Sequence, residues 1–320
     1  MTAFLEEHAK EVDRAAARIR GQVRRTPTVT TDLDPTLRLK PECFQVTGSF
    51  KPRGAFNAVL SLVARGERPT GVIAVSSGNH AQAVALAARL TGRAAVVVMP
   101  SDAPPAKLAA TRDYGAEVIL YDRYRQDRER LGAAVAAERG FALVPPYDDP
   151  LVMAGQGTAV RELLADAPDL EVVAAPVGGG GLLSGTAISA KRHRASIKVV
   201  GVEPAAADDA YRTWKSGAIQ TLEASPATLA DGVRTTAIGS RNFEVMFGQG
   251  LVDEIVTVSE EDIAAAVRTA WSRLHLALEP TGALTLAAYL AGRLPKGRAG
   301  LVLSGGNANL QTVATILKAE

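Results

Sequence analysis

From Val72 onward, short apolar runs alternate with alanine-rich segments of helical spacing, and this alternation restricts the fold more than any other property of the chain. Val72 to Val75, Ala94 to Met99 and Val118 to Tyr121 read as strands, with helices at Ala81 to Leu90, through Lys107 to Tyr114, and near Leu131 to Glu138. A strand that is apolar throughout needs cover on both faces, and parallel neighbours joined by helices supply it. Pro145-Pro146 and Asp148-Asp149-Pro150 interrupt the pattern. It then resumes with helix Gly155 to Ala165, strand Val172 to Val177, helix Leu183 to Lys191 and strand Val199 to Val202. After an irregular stretch, Ala205 to Ser240, come strand Val252 to Val258, helices Glu260 to Leu278 and Ala283 to Leu290, and strand Gly300 to Leu303. The expected class is α/β, with two open, twisted, mostly parallel sheets flanked by helices. A smaller domain is expected at 71–148, inserted into a larger one formed by 1–70 and 149–320.

The 320 residues suffice for two domains with a shared interface. A net charge of +2 gives no attraction to nucleic acid or to a membrane surface. Cys43 is the only cysteine, which rules out an intrachain disulfide and a cysteine zinc site and fits a reducing compartment. The amino terminus carries Phe4, Val12, Ala16 and Ile19 at helical spacing among charged residues, and so reads as an amphipathic helix, not a signal peptide. A cytoplasmic protein is expected. The long uncharged run Val172 to Ala190 has the length of a membrane span, but Pro176 and four glycines make it a strand, a loop and a helix start.

Three loops carry residue types suited to chemistry. Thr47-Gly48-Ser49-Phe50-Lys51 sets a lysine behind a segment that turns tightly, with the flat face of Phe50 beside the amine. A buried lysine has its pKa lowered by desolvation and can then form a Schiff base with an aldehyde, for which pyridoxal phosphate is the candidate. Gly178-Gly179-Gly180-Gly181-Leu182 lies between a buried strand and a helix. Without β-carbons, successive N–H groups can converge on a phosphate at the positive helix end. Ser76-Ser77-Gly78-Asn79-His80 follows another strand, where open α/β sheets bind ligands, and its hydroxyls and helix start suit a substrate carboxylate. Ser304-Gly305-Gly306-Asn307 ends the last strand; a serine hydroxyl against a pyridine nitrogen leaves that nitrogen unprotonated and the electron sink mild.

Together with Glu279-Pro280-Thr281-Gly282-Ala283, these motifs occur in the order seen in the serine/threonine dehydratase and serine racemase family, which the chain resembles along nearly its whole length. The resemblance implies a fold type II pyridoxal phosphate enzyme of the tryptophan-synthase-β-like group. It implies Lys51 as the Schiff-base lysine, Phe50 packing on the cofactor ring, Asn79 on the ring hydroxyl, Gly178 to Leu182 on the phosphate and Ser304 on the ring nitrogen. Glu203-Pro204-Ala205-Ala206-Ala207-Asp208-Asp209 resembles the divalent-cation site of serine-racemase-like members, with Glu203, the Ala207 carbonyl and Asp209 as ligands for Mg²⁺ or Ca²⁺. A small amino-acid substrate and a homodimer are the family expectations.

The expected reaction is dehydration of L-threonine or L-serine to a 2-keto acid and ammonia, with Lys51 removing the α-proton. Racemisation is the alternative, with Ser77 as the second acid/base, and 3-hydroxyaspartate dehydration is another, with His80 and Arg234 as candidate cations for the extra carboxylate. A non-catalytic binding protein on the same scaffold is the reading of another class, and the retained Lys51 argues against it. The chain ends soon after the Ser304 strand, so no carboxyl-terminal regulatory domain and no isoleucine feedback through one are expected. Lys40-Pro41-Glu42-Cys43-Phe44-Gln45 departs from the family pattern by its proline, which bears on the local strand.

Overall fold

The computed structural model describes residues 2–67, 69–76, 78–103, 105–122 and 125–318. Helix α1 (Ala3–Arg18) begins at Thr2, whose side chain accepts from the Leu5 N–H. It buries Leu5, Ala9, Val12, Ala15 and the following Ile19, so the apolar stripe includes Ile19 as expected but runs through Ala15, with Ala16 beside it. Strand β1 (Arg38–Pro41) leads through a 3₁₀ turn at Glu42–Phe44 to α2 (Lys51–Ala64). Pro41 is tolerated because β1 is an edge strand and the proline is its last residue.

The expected β-α alternation follows as β2 (Gly71–Val75), α3 (Asn79–Leu90), β3 (Ala94–Pro100), α4 (Pro105–Asp113), β4 (Glu117–Tyr121), α5 (Arg128–Arg139) and β5 (Ala142–Leu143). The chain continues through α6 (Pro150–Asp166), β6 (Val172–Pro176), α7 (Gly181–His193), β7 (Lys198–Pro204), α8 (Asp209–Ser216), α9 (Ser240–Phe243) and β8 (Glu254–Val258). It closes with α10 (Glu260–Ser272), α11 (Leu284–Leu290), β9 (Ala299–Leu303) and α12 (Leu310–Lys318). Three departures from the expected elements have local causes. Helix α6 starts five residues early because the Asp149 carboxylate caps the N–H groups of Leu151 and Val152 at 2.8 and 3.0 Å with Pro150 in the first turn. Helix α10 stops at Ser272, and the chain beyond it bends through His275 in a left-handed conformation at φ 55°. Helix α8 lies inside the stretch read as irregular, too short for its period to stand out.

The strands form two sheets, β1-β9-β6-β7-β8 and β4-β3-β2-β5, and every ladder is parallel. In the smaller sheet Val72, Ala74, Val97 and Met99 pack toward α2 and α3, whereas Ile73, Val96 and Val98 pack toward α5. That alternation is why the strands are apolar at successive positions. Among the described residues no helix is long and apolar enough to cross a membrane.

The strand orders fix where a ligand can lie. From β2 the chain steps outward to β3 and β4, then returns to the other side of β2 as β5. From β6 it steps to β7 and β8, then returns beside β6 as β9. A crevice opens at each reversal, outside the carboxyl ends of the strands. Ser76, Gly78 and loop 144–149 border one reversal, and loops 177–180 and 304–309 border the other. The dipeptide strand β5 was not recognisable in the sequence, yet it is what brings Pro146 and Tyr147 to the crevice.

Helix α2, which begins at Lys51, is anchored by a buried ionic cluster. The Arg53 guanidinium donates to both oxygens of Glu42 (2.8 and 2.9 Å) and both oxygens of Glu162 (2.8 and 2.9 Å). Lys40 adds a 2.7 Å bond to Glu162, and Thr26 and Thr158 satisfy remaining groups. Burial alone would raise the Glu42 carboxyl, but the Arg53 charge and its hydrogen bonds hold it below the usual value. Removing one partner from such a cluster leaves an uncompensated buried charge, which costs about 3–5 kcal/mol. Arg53→Met is accordingly expected to lower the unfolding free energy by that much in a urea titration, and a loss below about 1 kcal/mol would mean that the cluster is not what anchors α2.

Candidate active site

Lys51 is the first residue of α2, and its amine donates to the Pro146 carbonyl at 2.8 Å. The residue is partly exposed as a whole, yet protein packs densely around its amine. Burial lowers its pKa from 10.5 to about 8. The neutral amine therefore becomes abundant near physiological pH, which is the property a nucleophilic or basic lysine needs. Phe50 lies beside it, with its ring centroid 5.1 Å from the Lys51 Nζ. The lysine loop is laced to the end of β9: the Phe50 N–H donates to Ser304 O at 3.0 Å, the Gly306 N–H to Gly48 O at 2.9 Å, and Ser49 bridges Gly305.

The four glycines sit next to the same segment that holds the lysine. A β-carbon on Gly179 would fall 2.3 Å from the Tyr147 ring, and one on Gly181 would fall 3.0 Å from the Tyr147 backbone. On Gly180, which has φ 99°, it would fall 2.7 Å from Asn242 Cβ. Side chains are thus excluded here by packing as well as by conformation. Among the described residues the N–H groups of Gly178, Gly179 and Gly180 have no protein acceptor, and helix α7 begins directly behind them. Unpaired donors at a helix start fit a phosphate. Pro146 on the amine and Tyr147 on the glycines tie the two features into one cleft.

The other predicted residues fall around this cleft with varied engagement. Asn79, first residue of α3, donates its Nδ2 to Glu279 Oε1 at 2.7 Å and accepts from Asn307 Nδ2 at 2.8 Å. Ser304 is buried and its hydroxyl donates to Thr281 O over a long 3.4 Å. Leu182 packs into the core on α7. Ser76 accepts from the Gly78 N–H at 3.3 Å, whereas Ser77 lies outside the described residues. His80 departs from expectation as a cation. Its Nε2 must donate to the Val144 carbonyl at 2.9 Å, its Nδ1 is buried without a partner, and burial together with the Lys51 charge lowers its pKa to about 3. It is a neutral imidazole facing the small sheet. Arg234 spends its Nε and Nη2 donors on Thr228 O.

Two groups without a predicted role adjoin Asn79: Glu279 by direct contact, and Lys107 through its charge on Glu279. Glu279 is buried, and burial and then the Asp231 charge push it up to about 7. Lys107 of α4 pairs with Asp231 at 2.5 Å, joining the segment after β3 to the segment after α8. Sequence carried the Glu279 motif but no sign of its burial. Lys107 was read only as a helical residue, because its partner lies 124 positions away.

The acidic loop after β7 also takes shape. Glu203 is buried and accepts from the N–H groups of Ala210 (3.2 Å) and Tyr211 (2.7 Å) at the start of α8. Burial and neighbouring acids push Glu203 to about 9 and Asp209 to about 7, and Asp209 Oδ2 is buried without a partner. Two desolvated carboxyls with a spare oxygen suit a hard cation that replaces their protons. Among the described residues no group of three or more His, Cys, Asp or Glu side chains gathers, so any cation would rely on carbonyl or water oxygens as well.

The amine at the centre of the cleft makes the folded protein pH-sensitive. Below about pH 8 Lys51 is charged in folded and unfolded chains alike, and burial penalises the folded one; between about 8 and 10.5 it is neutral only when folded, so stability rises with pH there. Lys51→Met is expected to raise the melting temperature of the cofactor-free protein near neutral pH, with a gain of up to about 3 kcal/mol. That gain should shrink as pH climbs through this window, and a gain independent of pH would mean the amine is solvated.

Comparison with known proteins agrees with this geometry. The chain is 43% identical to the L-threo-3-hydroxyaspartate ammonia-lyase of Pseudomonas sp over 315 residues, covering 96% of this chain and 98% of the other. It is 40% identical to the serine racemase of Schizosaccharomyces pombe, covering 96% of each. Among solved structures, a threonine deaminase from T.th. superposes with a TM-score of 0.87 at 48% identity, covering 94% of this chain and 98% of that one. Residues 19–305, with the lysine loop, the glycine tetrad and Ser304 inside them, match the family described as pyridoxal-phosphate dependent enzyme, and the chain belongs to that family.

Proposed function

We propose that the protein is an ammonia-lyase for L-β-hydroxy-α-amino acids, converting them to a 2-keto acid and ammonia. The observation that carries this reading is that Pro146 and Tyr147 link the enclosed Lys51 amine to glycine N–H groups that have no acceptor among the described residues, at a helix start. Gly178 to Leu182 would hold the phosphate of pyridoxal phosphate, Ser304 its ring nitrogen, Asn79 its ring hydroxyl, and Phe50 its ring face. When bound, the cofactor supplies an aldehyde for the amines and a conjugated ring that withdraws electrons from the substrate α-carbon. The residues Ser76 to His80, leading into α3, would hold the substrate carboxylate through N–H groups and hydroxyls. Lys51 Nζ, neutral in part near physiological pH, takes the α-proton. The β-hydroxyl leaves with a proton, so elimination releases water and later hydrolysis consumes it. Ser304 in place of a carboxylate keeps the electron sink mild, which favours elimination over transamination.

Within this class L-threonine is supported by the likeness to a threonine deaminase, L-serine by the likeness to a serine racemase, and L-threo-3-hydroxyaspartate by the likeness to its ammonia-lyase. One local observation favours the dicarboxylic substrate. Lys107 stands at the cleft, close enough to Glu279 to lower its pKa, and could exchange Asp231 for a substrate carboxylate. Racemisation needs an acid/base at Ser77. Glu203, the Ala207 carbonyl and Asp209 are proposed to bind Mg²⁺ or Ca²⁺.

Purified protein loaded with pyridoxal phosphate should form keto acid from L-serine, L-threonine or L-threo-3-hydroxyaspartate without inverting them. Inversion of L-serine to D-serine with no keto acid would overturn the lyase reading. Lys107→Met should raise KM for 3-hydroxyaspartate about tenfold and leave that for serine within about twofold, as loss of one ion pair predicts. Equal effects on both would remove Lys107 from substrate choice. Millimolar Mg²⁺ or Ca²⁺ should raise the melting temperature, and Glu203→Gln should abolish that rise; a rise that survives the substitution would place the cation elsewhere.

A further inference from the structure

The polar groups around Asn79 form a chain whose direction is fixed at one end. Thr47 adopts a left-handed conformation at φ 62°, followed by Gly48 at φ 73°. This doubled turn wraps around Asn307: a β-carbon on Gly48 would fall 2.4 Å from Asn307 Oδ1. The Thr47 carbonyl accepts from Asn307 Nδ2 at 2.6 Å, and a carbonyl can only accept, so the amino end of Asn307 is identified. The same Nδ2 donates to Asn79 Oδ1 at 2.8 Å. Asn79 must then present its own Nδ2 to Glu279 Oε1, at 2.7 Å. One N–H of Asn79 is spent on Glu279 and one remains.

The four residues come from four separate motifs: the lysine loop, the start of α3, the Glu-Pro-Thr-Gly-Ala turn and the end of β9. Glu279 itself is buried and its backbone N–H is tied to Gly305 O at 3.1 Å, which anchors the base of the acceptor side chain. A reversed Asn79 amide would set its Oδ1 against Glu279 Oε1 and a second acceptor against any oxygen in the cleft. Both contacts set acceptor against acceptor and are repulsive, the first of them at the buried Glu279.

We propose that Glu279 and Asn307 are positioning residues that lock the amide of Asn79 in one orientation, reserving its remaining N–H for the ring oxygen of the cofactor. This inference rests on the pyridoxal phosphate reading above, and it assigns to the conspicuous buried acid of the cleft a role as fixed acceptor. Neither residue needs to touch the cofactor. Their effect passes through Asn79.

Three variants test it, each assayed by titrating apoprotein with pyridoxal phosphate and recording the visible band of the loaded protein alongside circular dichroism. Asn307→Asp removes the donor that fixes the chain, and Asn79 then turns its amino end toward the new carboxylate. Glu279→Leu removes the terminal acceptor, whereas Glu279→Gln keeps an oxygen in its place. The first two are expected to weaken cofactor binding about tenfold and to shift the visible band, as the loss of one well-aligned hydrogen bond predicts. The glutamine variant should stay within about twofold of the parent with an unshifted band. Wild-type affinity and an unshifted band in Glu279→Leu, or equal impairment in Glu279→Leu and Glu279→Gln, would overturn the proposal, and this pair decides even if Asn307→Asp fails to fold. If the unsubstituted protein takes up no cofactor, the parent reading and this one both fall, which tells the two failures apart.

Discussion

The guanidinium of Arg53, held between Glu42 and Glu162 with no exposed surface, is the contact on which the rest of the molecule depends. It ties the first turn of α2 to the turn after β1 and to α6, three pieces that the chain does not otherwise join locally. Lys51 sits one half-turn earlier on the same helix. A lysine amine at the tip of a four-carbon stem is poorly positioned by its own rotamers, so its placement against Pro146 depends on a helix start that cannot drift. Five donors in a rigid fork, facing four carboxylate oxygens, give that rigidity in a way a single aliphatic contact would not.

Around this anchor the two sheets bring their reversal points together. The consequence is an unusual concentration of desolvated ionisable groups: Lys51 is lowered, while Glu279, Glu203 and Asp209 are raised. Each of them opposes folding when it must carry charge, and none is offset by a partner as complete as the one Arg53 enjoys. Such groups persist where chemistry needs them. The contrast between the paired cluster under α2 and the under-paired groups of the cleft and of the acidic loop after β7 separates what holds the protein together from what it works with.

Lys107 and Asp231 add a connection of a different kind. They join segments attached to different sheets, close to Glu279. A pair with exposed members of this type contributes little to stability, so exchanging one partner for another carboxylate costs little. Because it stands near Glu279, the acid that orients Asn79 and the cation proposed to select substrates belong to one electrostatic neighbourhood.

The α/β class, the strands from Val72 onward, the lysine loop and the glycine tetrad were legible in the order of residues, since each depends on neighbours within a few positions: period, turn propensity and the lack of a β-carbon. The dipeptide strand β5 was not, because two residues carry no period, and with it went the role of the Pro146 carbonyl, a backbone atom that no side chain advertises. The neutrality of His80 was equally hidden: burial and the Lys51 charge hold the imidazole neutral, and the Val144 carbonyl, 64 residues away, settles only which ring nitrogen carries the proton. The sequence by itself determined which chemical groups the protein possesses and the local shapes that present them. Only the tertiary structure decided their protonation, their hydrogen-bond direction and their partners, since desolvation and electrostatic coupling are properties of what packs around a group and not of what precedes it in the chain.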